Sequence, residues 1–141
     1  MYERDYIQRM IEMIGDLIAG IFGLIRKGRF DQAENELGNI YYDMLKKDAA
    51  FFRIIPKDQL TDKLLKEHNY TSGHLEILAE LFNAEAELSL ARGNKAGSLE
   101  YSEKALLLWE FVDSEQKTLY PERLKKMETI RARILGLLKD K

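Results

Sequence analysis

The sequence contains no cysteine, two prolines, two histidines and one tryptophan among its 141 residues. The absence of cysteine excludes a disulfide framework and a thiol nucleophile, and it favours a reducing, cytoplasmic compartment. The histidines, His68 and His74, do not follow the fixed spacing of a metal motif and offer little material for an acid–base centre. We therefore expect no metal and no other cofactor.

The sequence also lacks a long uninterrupted apolar run. The stretch from Met13 to Ile25 is broken by Asp16 and preceded by acidic residues, so it predicts neither a secretory signal nor a membrane-spanning helix. The net charge of −2 provides no overall basic field for nucleic acid.

Charge is nevertheless distributed unevenly, because residues 74–115 are mainly acidic and residues 122–141 mainly basic. This pattern indicates either complementarity between two parts of the chain or solvated helix faces. A nucleic-acid or membrane-surface role for the basic segment is a third hypothesis. It is disfavoured because no other basic surface accompanies that segment.

Apolar residues recur at helical spacing along nearly the whole chain, and the alternation typical of strands is absent. The pattern predicts an all-α fold in a single domain covering residues 1–141. Short turns at Gly28 and Gly93 predict antiparallel hairpins, and we expect Gly93 to adopt a positive φ angle. Thr71 or Ser72 is expected to cap the fourth helix. The six expected helices cover about residues 2–27, 30–47, 57–67, 75–92, 95–113 and 120–138, with one further helical turn at 49–55.

The first expected helix carries apolar residues over about half of its circumference. So broad an arc predicts contact with two neighbouring helices or with another chain, and homo-oligomerisation is therefore one expectation. The opposite face carries Gly15, Ala19 and Gly23 at four-residue spacing. These small residues indicate either a solvent-exposed face or a close contact with another helix.

The second hairpin carries bulky, small, glycine, small and small residues at Phe82, Ala86, Gly93, Ser98 and Ala105. Their spacing resembles the tetratricopeptide repeat, a helix–turn–helix unit of about 34 residues. A weaker copy in the first hairpin matches the glycine, aromatic, alanine and bulky positions of the repeat, at Gly28, Phe30, Ala33 and Leu37.

Three segments carry a wider resemblance: DYIQRMIEMIGDLIAGI, KGRFDQAENEL and RGNKAGSLEYSEKALLLW. With them the chain resembles a family of small bacterial tetratricopeptide-like proteins that has no assigned function. The resemblance implies helical hairpins in a right-handed stack of about six helices. It also implies a non-catalytic scaffold or protein–protein interaction module.

The resemblance further implies a peptide-binding groove along the first helices of the repeats. The corresponding positions on the fourth expected helix are Glu80, Asn83 and Glu87. Two glutamates disfavour a carboxylate ligand and favour a basic segment of a protein or peptide partner. The alternative interpretation is a solvated polar face.

A second candidate partner surface consists of Leu107 and Phe111 on the fifth expected helix. They are neighbours at i, i+4 and point away from the apolar stripe of that helix, beside acidic residues. An exposed pair of this kind indicates a partner site. The alternative is that the last helix or the segment 114–119 covers the pair.

Glu85 lies in the middle of the apolar stripe of the fourth expected helix. A buried carboxylate is either neutral or paired, so we expect Glu85 to bond to a cation or a hydroxyl group. Arg131 is the first choice of partner because it falls inside the apolar stripe of the last helix, and Arg92 and Tyr41 follow. We expect a structural ion pair. The alternative is a small-ligand-binding or enzymatic domain that uses buried polar residues around Glu85.

Overall fold

The computed structural model describes residues 2–116 and 120–139, and these residues form helices and no strand. The prediction of an all-helical fold is therefore confirmed. Seven α-helices lie within the described ranges: α1 (Tyr2–Arg26), α2 (Phe30–Leu45), α3 (Ala49–Arg53), α4 (Leu60–Asp62), α5 (Ser72–Ala91), α6 (Lys95–Gln116) and α7 (Pro121–Lys139).

Gly93 ends α5 with a left-handed residue at φ 82°, so the expected positive φ angle is confirmed. The Gly93 N–H bonds the Leu90 carbonyl at 3.0 Å, and the Asn94 N–H bonds the Ser89 carbonyl at 2.8 Å. These two bonds satisfy carbonyl groups that the helix end leaves without partners. The Asn94 side chain then accepts from the Gly97 N–H at 2.9 Å and caps α6. One short turn therefore both stops α5 and starts α6.

The turn between α1 and α2 is built in the same way. Gly28 has φ 76°, its N–H bonds the Ile25 carbonyl at 3.0 Å, and the Arg29 N–H bonds the Leu24 carbonyl at 2.9 Å. The two glycines at which the sequence predicted hairpins therefore have the same conformation and the same hydrogen bonds.

The segment between α3 and α5 is less regular than the predicted helix over residues 57–67. A 3-10 turn at Lys57–Gln59 precedes α4, and a π turn at Lys63–Glu67 follows it. The Tyr70 N–H reaches back to the Leu64 carbonyl at 3.0 Å, which closes the wide turn. Leu60 and Leu64 face the core, with no exposed surface.

Thr71 caps α5 together with His74. The Thr71 hydroxyl accepts from the His74 backbone N–H at 3.4 Å, and His74 Nδ1 accepts from the Thr71 N–H at 3.0 Å. This reciprocal pair is a capping box, and it starts α5 three residues earlier than the sequence predicted.

The helix α5 occupies the centre of the fold. Buried residues lie on several of its sides, and α1, α2 and α6 pack around it. The core that they share includes the fully buried side chains of Trp109, Tyr41, Phe52 and Phe82. Within the described part of the chain, no helix has both the length and the apolar character that crossing a bilayer requires.

The outer face of α1 is open. Gly15 and Ala19 are exposed, and a methyl group added at Gly15 would meet no atom within 4 Å. Within the described residues, Gly15 and Ala19 are therefore solvent-exposed, whereas Gly23 is half-buried.

Candidate functional site

The three residues predicted to line a peptide groove on α5 instead contact α7. Lys126 Nζ donates to Glu80 at 2.5 Å, and Arg133 donates to both Glu87 and Asn83 at 2.5 Å. Glu80 is 6% exposed. The polar stripe on α5 is thus not an open groove, because the chain's own basic helix lies over it, although the Glu87 side chain remains 40% exposed.

A third cationic anchor on α7 is Arg123, which is only 4% exposed. Its guanidinium donates to Glu76 at 3.1 Å, to Gln116 at 2.7 Å and to Asp113 at 3.4 Å. Burial lowers the pKa of Arg133, ten residues further along α7, although the charge of Glu87 opposes the shift. The uneven charge distribution of the sequence is therefore complementarity between α7 and the face formed by α5 and α6.

Glu85 is buried, with 5% of its surface exposed, as the sequence predicted. Its Oε2 atom accepts two hydrogen bonds, from the Tyr41 hydroxyl at 3.0 Å and from Arg53 Nε at 2.6 Å. Burial and the charge of Glu85 raise the pKa of the Tyr41 hydroxyl well above its usual value. Burial lowers the pKa of Arg53, but the charge and the hydrogen bond of Glu85, together with smaller contributions from Tyr41 and Tyr101, outweigh it, and the net shift is upward.

The expected pairing of Glu85 with Arg131 is wrong. Arg131 is exposed and donates to Glu110 on α6 at 3.2 Å, because α7 turns Met127 and Ile130 towards the core and Arg131 outwards. Arg92, the second choice, pairs instead with the exposed carboxylates of α2, namely Asp31 and Glu34. Tyr41 is confirmed as a partner of Glu85, and the sequence did not indicate Arg53.

Lys104 is a buried cation that the sequence reasoning missed. It is 2% exposed and donates to the Arg53 carbonyl at 3.1 Å, while its charge pairs with Glu100 at 3.2 Å. Its ammonium group also lies 5.8 Å from the ring centroid of Phe82. A signal was present, since Lys104 lies four residues before the buried Leu108 on the apolar stripe of α6.

The Glu85 network forms the wall of an open polar cleft with a volume of about 240 Å³. Burial and the nearby charge of Glu85 raise the pKa of Tyr101, in this cleft, to about 12. We refer to this feature as the polar cleft; it is lined by Glu34, Arg53, Glu85, Leu88, Ser89, Arg92, Asn94 and Tyr101.

A larger groove lies between α1 and α2, with a volume of about 510 Å³. Its lining is mainly apolar and includes exposed side chains: Tyr6 is 53% exposed, Met13 55% and Leu17 39%. We refer to it as the apolar groove; it is lined by Tyr6, Met10, Met13, Leu17, Glu36, Asn39, Ile40, Asp43 and Met44. The wide apolar arc of the first helix was its sequence signal.

The second predicted partner surface is less exposed than expected. Leu107 and Phe111 are both half-buried, and Phe111 packs against the core. Their role in binding a partner stays a prediction, but the described residues favour the apolar groove as the more accessible apolar surface.

The two histidines have structural contacts. The His68 ring packs edge-on against Phe51 at 5.0 Å, and the His74 ring stacks on Tyr70 at 4.8 Å. Over residues 2–116 and 120–139, no group of three or more histidine, aspartate and glutamate side chains is arranged to hold a metal ion.

Comparison with known proteins finds no match to a family model, to a curated protein or to a solved structure.

Proposed function

We propose that this chain is a non-catalytic helical interaction module that binds a protein partner through the apolar groove. In this proposal α1–α2 and α5–α6 act as tetratricopeptide-like hairpins of a right-handed stack in the cytoplasm. The matching glycine turns at Gly28 and Gly93 support the hairpin part. The observation that carries the proposal is the apolar groove, whose exposed aromatic, methionine and leucine side chains are of the kind that bind partners.

The apolar groove has the properties of a binding site for an amphipathic helix. Its volume and apolar lining suit the row of apolar side chains that such a partner helix carries at positions i, i+3, i+4 and i+7. Met10, Met13 and Met44 contribute flexible, polarisable side chains that adapt to varied apolar shapes.

Charge indicates the chemistry of the partner helix. The helix α2 carries four acidic residues and no lysine or arginine, and two of them, Glu36 and Asp43, line the groove. The partner is therefore an amphipathic helix with basic residues beside its apolar stripe. The docking of α7 on α5 within this chain is an example of the same chemistry, because basic side chains of one helix pair there with acidic side chains of another.

The same charges disfavour a second copy of the chain in the groove. A two-fold contact brings each surface against itself, so Glu36 and Asp43 of one copy would approach those of the other. Like charges at close range oppose such a contact. We therefore choose a basic partner helix over a homodimer as the occupant.

Site-specific photo-crosslinking in the native cell tests this function. A photoreactive amino acid at Leu17 lies in the groove, whereas one at Ile54, which is 79% exposed and outside the groove, is the matched control. We expect one defined product from Leu17 only, crosslinked to a basic amphipathic helix and lost when Met13→Glu is added. Equal labelling from both positions would contradict the proposal, and a product with a second copy of the chain would replace it with self-association.

A further inference from the structure

The polar cleft contains hydrogen-bond donors that the rest of the described chain does not use. Arg53 donates to Glu85 through Nε, and its two terminal nitrogens make no hydrogen bond with residues 2–116 or 120–139. The hydroxyl groups of Tyr101 and Ser89 line the same cleft, and neither has a hydrogen bond in the described ranges.

Several acceptors in the cleft, in contrast, are engaged. Glu85 Oε2 accepts from Tyr41 and Arg53, Glu34 Oε1 accepts from Arg92, and the Asn94 side-chain oxygen accepts from Gly97. The unused donor groups, namely the two terminal nitrogens of Arg53 and the two hydroxyl groups, outnumber the two carboxylate oxygens that accept no bond within the described ranges, Glu85 Oε1 and Glu34 Oε2. A ligand that supplies acceptors, such as a carboxylate, complements these donors.

Glu85 also fixes the orientation of the Arg53 guanidinium. The Glu85 side chain is buried and is held by its hydrogen bond from Tyr41. Its short bond to Arg53 Nε directs the two terminal nitrogens of the guanidinium away from the Glu85 carboxylate. A planar guanidinium held in this way presents two parallel N–H donors, which match the two oxygens of a carboxylate.

The charge and the volume of the polar cleft restrict the class of ligand further. Glu85 neutralises Arg53, and Asp31 with Glu34 neutralises Arg92, so the cleft has no excess of positive charge to attract a multiply charged anion. A volume of about 240 Å³ corresponds to roughly eight water molecules at ~30 Å³ each. We infer that the polar cleft binds a small carboxylate, with Arg53 as its main anchor and Tyr101 as a second donor.

This inference is independent of the proposed partner helix, because none of the residues that line the apolar groove lines the polar cleft. Nuclear magnetic resonance titration of the full chain tests it directly. Acetate, succinate and inorganic phosphate serve as probes at constant ionic strength, and sodium chloride serves as the blank. Saturable shifts are expected for the backbone amides of Ser89, Asn94 and Tyr101 with acetate, and weaker binding is expected with succinate and phosphate, which carry more charge.

Variants of the polar cleft show whether the Arg53 guanidinium and the Tyr101 hydroxyl bind the carboxylate probe. Arg53→Lys should weaken carboxylate binding by about tenfold, since an ammonium lacks the paired donors of a guanidinium. Tyr101→Phe should weaken it less, while Arg131→Lys, an exposed arginine elsewhere, should change nothing. If Arg53→Lys does not fold, Ser89→Glu gives the same test, because it adds a carboxylate to the cleft and should abolish binding.

Three results would overturn the inference. One is no saturable shift with any probe up to about 50 mM, a range in which even weak binding is visible. Another is binding that Arg53→Lys and Ser89→Glu leave unchanged. The third is tighter binding of phosphate or succinate than of acetate, because the absence of excess positive charge in the cleft excludes a preference for the more highly charged ion.

Discussion

Arg53 Nε lies 2.6 Å from Glu85 Oε2, and this bond joins the five-residue helix α3 to the centre of α5. A helix this short is not stable by itself, so tertiary contacts must hold it. Phe52 supplies an apolar contact, since it is fully buried and stacks on Tyr41 at 5.7 Å. Arg53 supplies the polar contact, through its bond to the buried side chain of Glu85.

Replacing Glu85 by alanine should lower the free energy of unfolding by about 3 kcal/mol, because removal of one member of a buried ion pair leaves the others without a partner. The Tyr41 hydroxyl, which is fully buried, would lose its acceptor, and Arg53 would lose its counter-charge. Urea denaturation followed by circular dichroism measures the change.

A matched control is Glu110→Ala on α6. Glu110 also pairs with an arginine, Arg131, but both side chains are about half exposed, at 53% and 47%. An exposed pair contributes roughly 0–1 kcal/mol, so the control should change stability much less than Glu85→Ala. Equal losses from the two variants would show that the Glu85 network has no special role in stability.

The sequence predicted the burial of Glu85 but not its main partner, and the difference has a physical cause. Burial followed from helical periodicity, since apolar residues flank Glu85 on one face of a long helix. The partner depends on which elements meet in space. Arg53 lies on a helix of five residues, which is too short to show a periodic pattern. Arg131 lies beside the apolar stripe of a long helix, but its side chain faces solvent.

The same limit applies to the candidate surfaces. The sequence predicted that the stripe of Glu80, Asn83 and Glu87 favours a basic segment, and it showed that the C-terminal segment is basic. It could not show that this segment docks on the stripe, because helix order along the chain does not fix packing in three dimensions. The apolar groove was visible only as an arc on α1, since its other wall comes from α2.

Stability should fall as the pH rises above about 10, the usual pKa of tyrosine. Burial and the charge of Glu85 raise the pKa of folded Tyr101 to about 12. Between these two values the unfolded chain loses a proton that the folded chain keeps, so deprotonation favours unfolding. The stability that protonated Tyr101 contributes is fully present below the unfolded pKa and is lost as the pH rises through the folded pKa.

In the Tyr101→Phe variant, the midpoint of urea denaturation should therefore decrease less steeply with rising pH than in the unmodified protein. An equally steep decrease in both proteins would contradict the assignment of this pH dependence to Tyr101.

Gly93→Val should lower the free energy of unfolding by more than ~1 kcal/mol, because a β-branched residue resists a positive φ angle. The glycine has φ 82° and open space around it, so the cost arises from the backbone and not from a clash.

The substitution Gly15→Ala should have the opposite effect on stability. It lies within α1 with no atom near its added methyl group, and it should stabilise the protein by about 0.5–1 kcal/mol. Thermal denaturation should show a lower melting temperature for Gly93→Val and a higher one for Gly15→Ala.

Arg123→Met should loosen α7 and lower the free energy of unfolding by about 3 kcal/mol, because the buried guanidinium balances Glu76 and Asp113, which are 17% and 32% exposed. The chain has one tryptophan, Trp109, which is buried beside Lys126 of α7, so its fluorescence reports whether α7 stays docked. A red shift of tryptophan emission should accompany the loss of stability in Arg123→Met.

The control variant Lys125→Met changes an exposed neighbour and should leave both stability and emission unchanged. Adding Glu76→Gln to Arg123→Met should recover part of the loss; no recovery would mean that the guanidinium acts through packing and not through its charge.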